Sequence, residues 1–338
     1  MDYMKHFKHE KKYSLKDVSI ILAIALFFVL VFDSSGLYGW AKRLKVGKTR
    51  TFFVNVSEPL NSAMDKVKLT YPRKLLRQSF HYAMGKQREA GFIAASGGIY
   101  HIENDSINHL ASTDVHSDNT SAVTYSSSNP LSVLLIGDSM MGDGLGTMLL
   151  RALNDDDRMN PNRHYKVSSG LSRPDFYNWP AQIRQLFSQG QYDAVIIMMG
   201  TNDAQNFEMD GVIYTYGTEQ WYDVYRDRLN DFLDTLSVYT YHVYWVGMPP
   251  MRASGYNQRM QSLNQLFEQA CASHPRATYV STVPLLGDQN GNYSTYITVN
   301  GRQILARGED GIHMTRAGGQ IVADELMNLL QQEFKFAD

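Results

Sequence analysis

Cysteine is almost absent from this chain, with Cys271 the only one in 338 residues. That excludes an internal disulfide framework and any multi-cysteine zinc or iron–sulfur site. The glycines Gly142, Gly144 and Gly146 lack the dinucleotide-binding spacing and no Walker-type lysine follows them, which argues against nucleotide chemistry. Beyond residue 130 lysine nearly disappears, leaving Lys166 and Lys335 in an acidic segment, so nucleic acid is a poor partner. No internal repeat is evident. His101, His109 and His116 occur in a polar stretch without metal-ligand spacing and read as loop histidines.

A composition of 43% hydrophobic and 20% charged residues is enough to bury a substantial core. The length suggests about two units. The net charge of -2 conceals an asymmetry. Residues 37–90 carry twelve basic against three acidic side chains, 91–129 carry none against four, and 130–338 carry fifteen against twenty-three. Such segments meet different surroundings.

Residues 18–32 hold no charge and follow Lys5, Lys8, Lys11, Lys12 and Lys16, the pattern of a membrane-insertion signal. Leu37, Tyr38 and Trp40 extend the run to an aromatic interface, and no Ala-x-Ala site follows. The expectation is a cytoplasmic N-terminus at 1–17, a transmembrane anchor at 18–40, and an extracytoplasmic bulk. A cleaved signal with Ser34 and Gly36 at its end is the alternative. Residues 41–103 form a basic juxtamembrane segment with one or two amphipathic helices over 58–90. Residues 104–130 read as a polar linker ending at Ser126-Ser127-Ser128-Asn129-Pro130.

From 131 the pattern becomes regular. Apolar runs at 133–136, 165–167, 194–198, 243–246 and 278–280 alternate with helix-like segments near 143–154, 178–189, 218–238, 255–273 and 315–333. That alternation predicts an α/β domain over 131–338, a parallel sheet with helices on both faces. The segment 285–307, with turn signals at Asn290-Gly291 and Asn300-Gly301, predicts a β-hairpin insertion.

In open α/β sheets ligands collect beyond the carboxyl ends of the strands. The first run ends in Gly137-Asp138-Ser139-Met140, where a serine at a strand-to-helix turn either presents a nucleophilic hydroxyl or caps the helix. The second ends in Ser169-Gly170, a place for close backbone approach or an ordinary turn. The third ends in Gly200-Thr201-Asn202-Asp203, where the asparagine is either an oxyanion donor or the start of an Asx turn. Near the C-terminus Asp310-Gly311-Ile312-His313 places a carboxylate three residues before an imidazole, a spacing that suits an oriented general base.

Each signal is weak alone, yet all four lie in order at the ends of one sheet. In this combination the sequence resembles the SGNH, or GDSL-type, hydrolase superfamily over about residues 131–333. By that resemblance Ser139 is the nucleophile, His313 the base and Asp310 its carboxylate partner. The Ser139 N–H, the Gly170 N–H and the Asn202 amide form the oxyanion hole. The block around the serine reads Gly-Asp-Ser-Met where many members have Gly-Asp-Ser-Leu. The resemblance implies a flavodoxin-like three-layer α/β/α fold with a five-stranded parallel sheet in the order 2-1-3-4-5, no metal, no cofactor, and attack on esters.

Membrane-anchored extracytoplasmic members of the superfamily add or remove O-acyl groups on cell-surface polysaccharides, some beside a membrane-bound acyltransferase. This architecture resembles that branch, and implies an acylated carbohydrate or small ester as substrate, with periplasmic placement at the inner membrane. Candidate substrate contacts are Asp138, Asp203, Trp179 and Tyr214, with Tyr216, Trp221 and Tyr222 as further aromatics; core packing is the competing role for each ring. The segment 204–217 reads as a substrate loop. A catalytically idle glycan-binding or scaffold subunit is the rival function.

Overall fold

The computed structural model describes residues 16, 18–22, 28, 32–44, 46–67 and 123–337. The chain divides into two units, 1–88 and 89–338.

In the first unit, helices α1 (Ser34–Arg43) and α2 (Lys48–Lys66) pack together. Trp40 meets Phe53 edge-on at 5.0 Å, and the Tyr38 hydroxyl donates to Glu58 at 3.2 Å. The sequence pattern placed the first amphipathic helix from residue 58, but α2 already starts at Lys48. No helix among the described residues is long and apolar enough to cross a membrane. Most of the charge-free run expected to form the anchor, together with 68–103 and most of the expected linker, lies outside the described residues.

The first strand among the described residues of the second unit is β1 (Thr124–Tyr125), inside the expected linker, and it pairs in parallel with β11 (Lys335–Phe336). Tyr125 is buried against Phe334 and Phe336, so the stretch before residue 131 belongs to the domain. The central sheet is five-stranded and parallel, built from β2 (Leu131–Gly137), β3 (Met159–Tyr165), β4 (Ala194–Met198), β7 (His242–Val246) and β8 (Ala277–Val280). Its spatial order is β3-β2-β4-β7-β8, which is 2-1-3-4-5 in chain order.

Strands β4 and β7 are buried at every residue, as expected of parallel strands covered on both faces. On one side α3 (Gly144–Asn154) packs with α8 (Arg316–Glu333). On the other, α4 (Trp179–Gln189), α5 (Glu219–Tyr239) and α6 (Ser254–Ala272) lie in a row. Right-handed crossovers in this strand order distribute the helices in just this way. Each helix falls within a residue or so of its expected span.

The second strand is the exception. The apolar pattern predicts a strand at 165–167, but the strand is Met159–Tyr165, with only Met159 and His164 buried. As an edge strand β3 has one neighbour and tolerates Pro161 and two asparagines, and Val167 beyond it is exposed. The expected insertion contains the hairpin β9 (Tyr296–Val299) and β10 (Arg302–Leu305), preceded by a short helix α7 (Val283–Leu286). Asn300 and Gly301 both have positive φ, as a two-residue hairpin turn requires. A second small hairpin, β5 (Phe207–Met209) with β6 (Val212–Tyr214), occupies the loop after β4.

Candidate active site

The carboxyl end of β2 delivers Ser139 into a single turn of 3-10 helix, Ser139–Met141. Asp138 caps that turn by accepting the Met140 N–H at 2.8 Å. From 174 positions away, His313 reaches the serine, with Nε2 to Oγ at 2.9 Å. Its other nitrogen, Nδ1, meets Asp310 Oδ2 at 2.5 Å, and Asp310 Oδ1 accepts the N–H groups of Ile312 and His313 at 2.8 and 3.0 Å. Nδ1–H therefore donates to the carboxylate, and Nε2 is left to accept the serine proton. Burial works to raise the Asp310 carboxyl, but the hydrogen bonds from His313 and the two amides prevail and hold it at about 2. It is thus ionised throughout the neutral range. The His313 and Asp310 side chains are 42% and 46% exposed, so the pair opens to solvent.

What joins such distant residues is the approach of α3 to α8. A Cβ on Gly319 would lie 2.4 Å from the backbone of Gly144, so only a glycine lets the two helix starts touch. That contact sets the 308–314 segment beside the turn carrying Ser139. No motif in the sequence announces it beyond the Gly318-Gly319 pair.

The remaining strand ends converge on two buried carboxylates. Asp138 Oδ2 accepts from the backbone of Gly200 and Thr201, both at 3.1 Å, from the Thr201 hydroxyl at 2.6 Å and from Asn202 Nδ2 at 3.2 Å. Burial raises its carboxyl to about 6. Asp203 accepts from the Ser172 amide at 2.7 Å and the Tyr225 hydroxyl at 2.9 Å, and burial raises it too. Both carboxylates are completely enclosed. As substrate contacts they are ruled out: they tie the loops after β2, β3 and β4 to one another.

Gly170 packs directly on Asp203, where a Cβ would come within 2.1 Å of Oδ1. Among the described residues neither the Ser139 nor the Gly170 amide N–H has an acceptor. Asn202 Nδ2 is already engaged by Asp138, by the Ser169 carbonyl at 3.0 Å and by the Thr201 hydroxyl at 3.2 Å.

Of the two roles open to the tryptophans, sugar stacking and core packing, both take the second. Trp179 is buried and donates to the Ser169 hydroxyl at 3.0 Å, which pins the loop carrying Gly170. Trp221 is buried, donates to the Gln205 carbonyl at 2.8 Å and stacks on Tyr225. Tyr214 is half-buried and stacks on Phe207 at 5.2 Å; Tyr216 and Tyr222 are half-buried around Trp221. Among the described residues, no group of three His, Cys, Asp or Glu side chains is placed to hold a metal ion, and His101, His109 and His116 fall outside them.

A family described as "Protein of unknown function (DUF459)" matches residues 132–329, more than half of the chain. The chain belongs to that family. The match spans the five-stranded sheet and every residue of the cluster just described. No curated protein matches the chain in sequence. Among solved structures, an acetylxylan esterase from Geobacillus stearothermophilus is 15% identical, with a TM-score of 0.43 over 63% of this chain and 97% of its own. The C-terminal catalytic domain of a peptidoglycan O-acetyltransferase from Streptococcus pneumoniae is 15% identical, with a TM-score of 0.39 over 60% and 94%. A GDSL-like lipase from Bacteroides thetaiotaomicron is 12% identical, with a TM-score of 0.42 over 64% and 95%. This member of the family has a five-stranded parallel sheet in the order 2-1-3-4-5, with Ser139, Gly170 and Asn202 in the loops after its first three strands and His313 brought beside Ser139 from the segment before α8.

Proposed function

We propose that this chain is a serine-dependent O-acyl ester hydrolase or O-acyltransferase. The observation that carries the reading is the unbroken relay from Asp310 through His313 to Ser139, at 2.5 and 2.9 Å. As Ser139 Oγ attacks an ester carbonyl, His313 Nε2 takes its proton, and Asp310 holds the ring in the required tautomer and stabilises the imidazolium. The Ser139 and Gly170 amides, with the Asn202 amide, face the oxyanion. Collapse of the tetrahedral intermediate breaks the bond to the alkoxy oxygen, which leaves with the proton from His313. The acyl-enzyme is then resolved by water, or by a sugar hydroxyl whose proton passes to the same imidazole.

The substrate class we favour is an acyl ester, such as an acetyl ester, on a cell-envelope carbohydrate. What supports it is the exposure of the His313–Asp310 pair, which a substrate larger than a small ester requires. We further propose an extracytoplasmic position on an anchor at 18–40, supported by the charge-free run and its lysine flank.

A serine-directed sulfonyl fluoride tests the chemistry without knowledge of the substrate. One adduct is expected on Ser139 by intact mass and peptide mapping, absent in Ser139→Ala and formed far more slowly in His313→Ala. Labelling at an equal rate in His313→Ala, or none in the folded wild type, would sink the reading.

A further inference from the structure

Beneath the turn that carries Asp310 and His313 lies Arg307, a side chain with 1% exposure that touches neither the serine nor the histidine. It pairs across an isolated antiparallel bridge with Met314, closing the loop 308–313, and the Gly308 N–H donates to the His313 carbonyl at 2.8 Å. Its guanidinium donates from Nη1 to the Pro250 carbonyl and from Nη2 to the Ile312 carbonyl at 2.8 Å. Met251 Sδ lies 3.6 Å from Nη2, and the Tyr293 ring centroid 5.1 Å from Cζ.

A buried guanidinium ordinarily has a carboxylate against it, since an unpaired charge away from water is costly. Among the described residues none lies within ion-pair range of Arg307, and its Nε has no partner. The carboxylate whose charge it feels is Asp310, while burial draws the guanidinium down to about 10.

A second arginine works on the same loop. Arg252 donates from its backbone to the Gly311 carbonyl at 3.1 Å and from Nη2 to the Gly308 carbonyl at 3.3 Å. Its Cζ sits 5.5 Å from the same Tyr293 ring. The loop is therefore gripped at the carbonyls of Gly308 and Ile312 by two arginine side chains, and at that of Gly311 by the Arg252 backbone N–H. Of the two, only Arg307 is enclosed, and it holds the carbonyl of the residue between Gly311 and His313.

We propose that Arg307 is the positioning residue of the Asp310–His313 pair, fixing the turn through the Ile312 carbonyl and anchoring it to the 250–251 segment. Its charge is retained in the interior because a planar fork reaches the two carbonyls from two separate nitrogens, which an apolar side chain cannot do and the single nitrogen of a lysine does less well. The kinetic part of this proposal rests on the ester-hydrolase reading. Displacing a reacting group by about 1 Å costs on the order of 100-fold in rate, and the loss falls on kcat when ground-state binding is untouched.

The test compares Arg307→Met, Arg307→Lys and a control in the distant core, Leu330→Ala, in the full chain. Two readouts are followed: steady-state hydrolysis of p-nitrophenyl acetate, and the low-field proton resonance of the His313 Nδ1–H bound to Asp310. The expected result for Arg307→Met is a kcat reduced about 100-fold with KM changed less than about threefold, and the low-field resonance lost or broadened. Arg307→Lys should recover part of both, and Leu330→Ala should keep both while unfolding at a lower temperature. Unchanged kcat and resonance in Arg307→Met would overturn the proposal, as would an equal loss of kcat in Leu330→Ala. Should Arg307→Met not fold, Arg307→Lys decides alone, because a wild-type kcat and resonance there would contradict the need for a fork. A wild type that hydrolyses no ester would count against the proposed function instead. The resonance would then decide on Arg307, its loss in the variant supporting the role and its persistence refuting it.

Discussion

Asp138 is enclosed, yet it serves five donors, and replacing it with asparagine separates its geometry from its charge. Oδ2 takes four of those donors and Oδ1 takes the Met140 amide, so in Asp138→Asn the side-chain oxygen should occupy the Oδ2 position. The new NH2 then faces the Met140 N–H, a donor against a donor, which costs about 1–3 kcal/mol at every pH. The charge acts differently. Burial raises the carboxyl from 3.8 to about 6, so the folded chain holds this proton more tightly than the unfolded one. The contribution to stability is therefore fully present below about pH 4 and is lost as the pH rises through 6. A difference of about two pKa units is worth about 3 kcal/mol, of which about 2 should be regained by pH 4.5. His164, lowered to about 4 by burial and by Lys166, pulls the other way in the same window, so the quantity to measure is the difference between wild type and variant. Urea unfolding at pH 7 and pH 4.5 should show wild type gaining about 2 kcal/mol on Asp138→Asn over that interval. Parallel changes in the two proteins would refute a protonatable, enclosed Asp138. Asp203 is also raised by burial and feels less negative charge in the variant, which moves the difference in the same direction.

Removing the Asn202 amide should lower kcat/KM for acetate esters by about 100 to 1000-fold, the usual cost of one oxyanion donor; urea unfolding should show only a small stability loss, since Asp138 keeps its other donors. Gly170→Ala places a methyl group 2.1 Å from Asp203 Oδ1 and should destabilise the domain by about 1–3 kcal/mol in the same assay. Trp179→Phe removes the bond to the Ser169 hydroxyl and should cost about 1 kcal/mol. Because that side chain is enclosed, affinity for any glycan measured by calorimetry should change only as far as the Gly170 loop moves.

The strands that were legible in sequence are those enclosed on both faces, such as Ala194–Met198, where every residue is apolar and the run has no period to misread. The edge strand Met159–Tyr165 was not, because a strand with one neighbour needs few apolar residues and its most apolar flank, Val167, points to solvent. Ser139 and Asn202 stood out because parallel sheets gather chemistry at their carboxyl ends, so position reinforced residue type, whereas Asp310 and His313 follow no strand of that sheet and stood out by their three-residue spacing. The same reasoning failed for Asp138 and Asp203, and it left Trp179 and Trp221 open between sugar stacking and core packing. A polar or aromatic residue beside a nucleophile reads alike whether it faces the substrate or lies beneath the loop, and only packing decides. Arg307 left no local trace at all, since the carbonyls it holds come from segments up to 57 residues distant.

The central claim is that Ser139, His313 and Asp310 act as one unit on an ester. Its most direct test is the rate of p-nitrophenyl acetate hydrolysis by the purified full chain beside Ser139→Ala and His313→Ala, with folding checked by circular dichroism. The account predicts wild-type turnover well above buffer and a loss of at least about 1000-fold in each variant. Equal turnover in all three, or a folded wild type no faster than buffer, would contradict it.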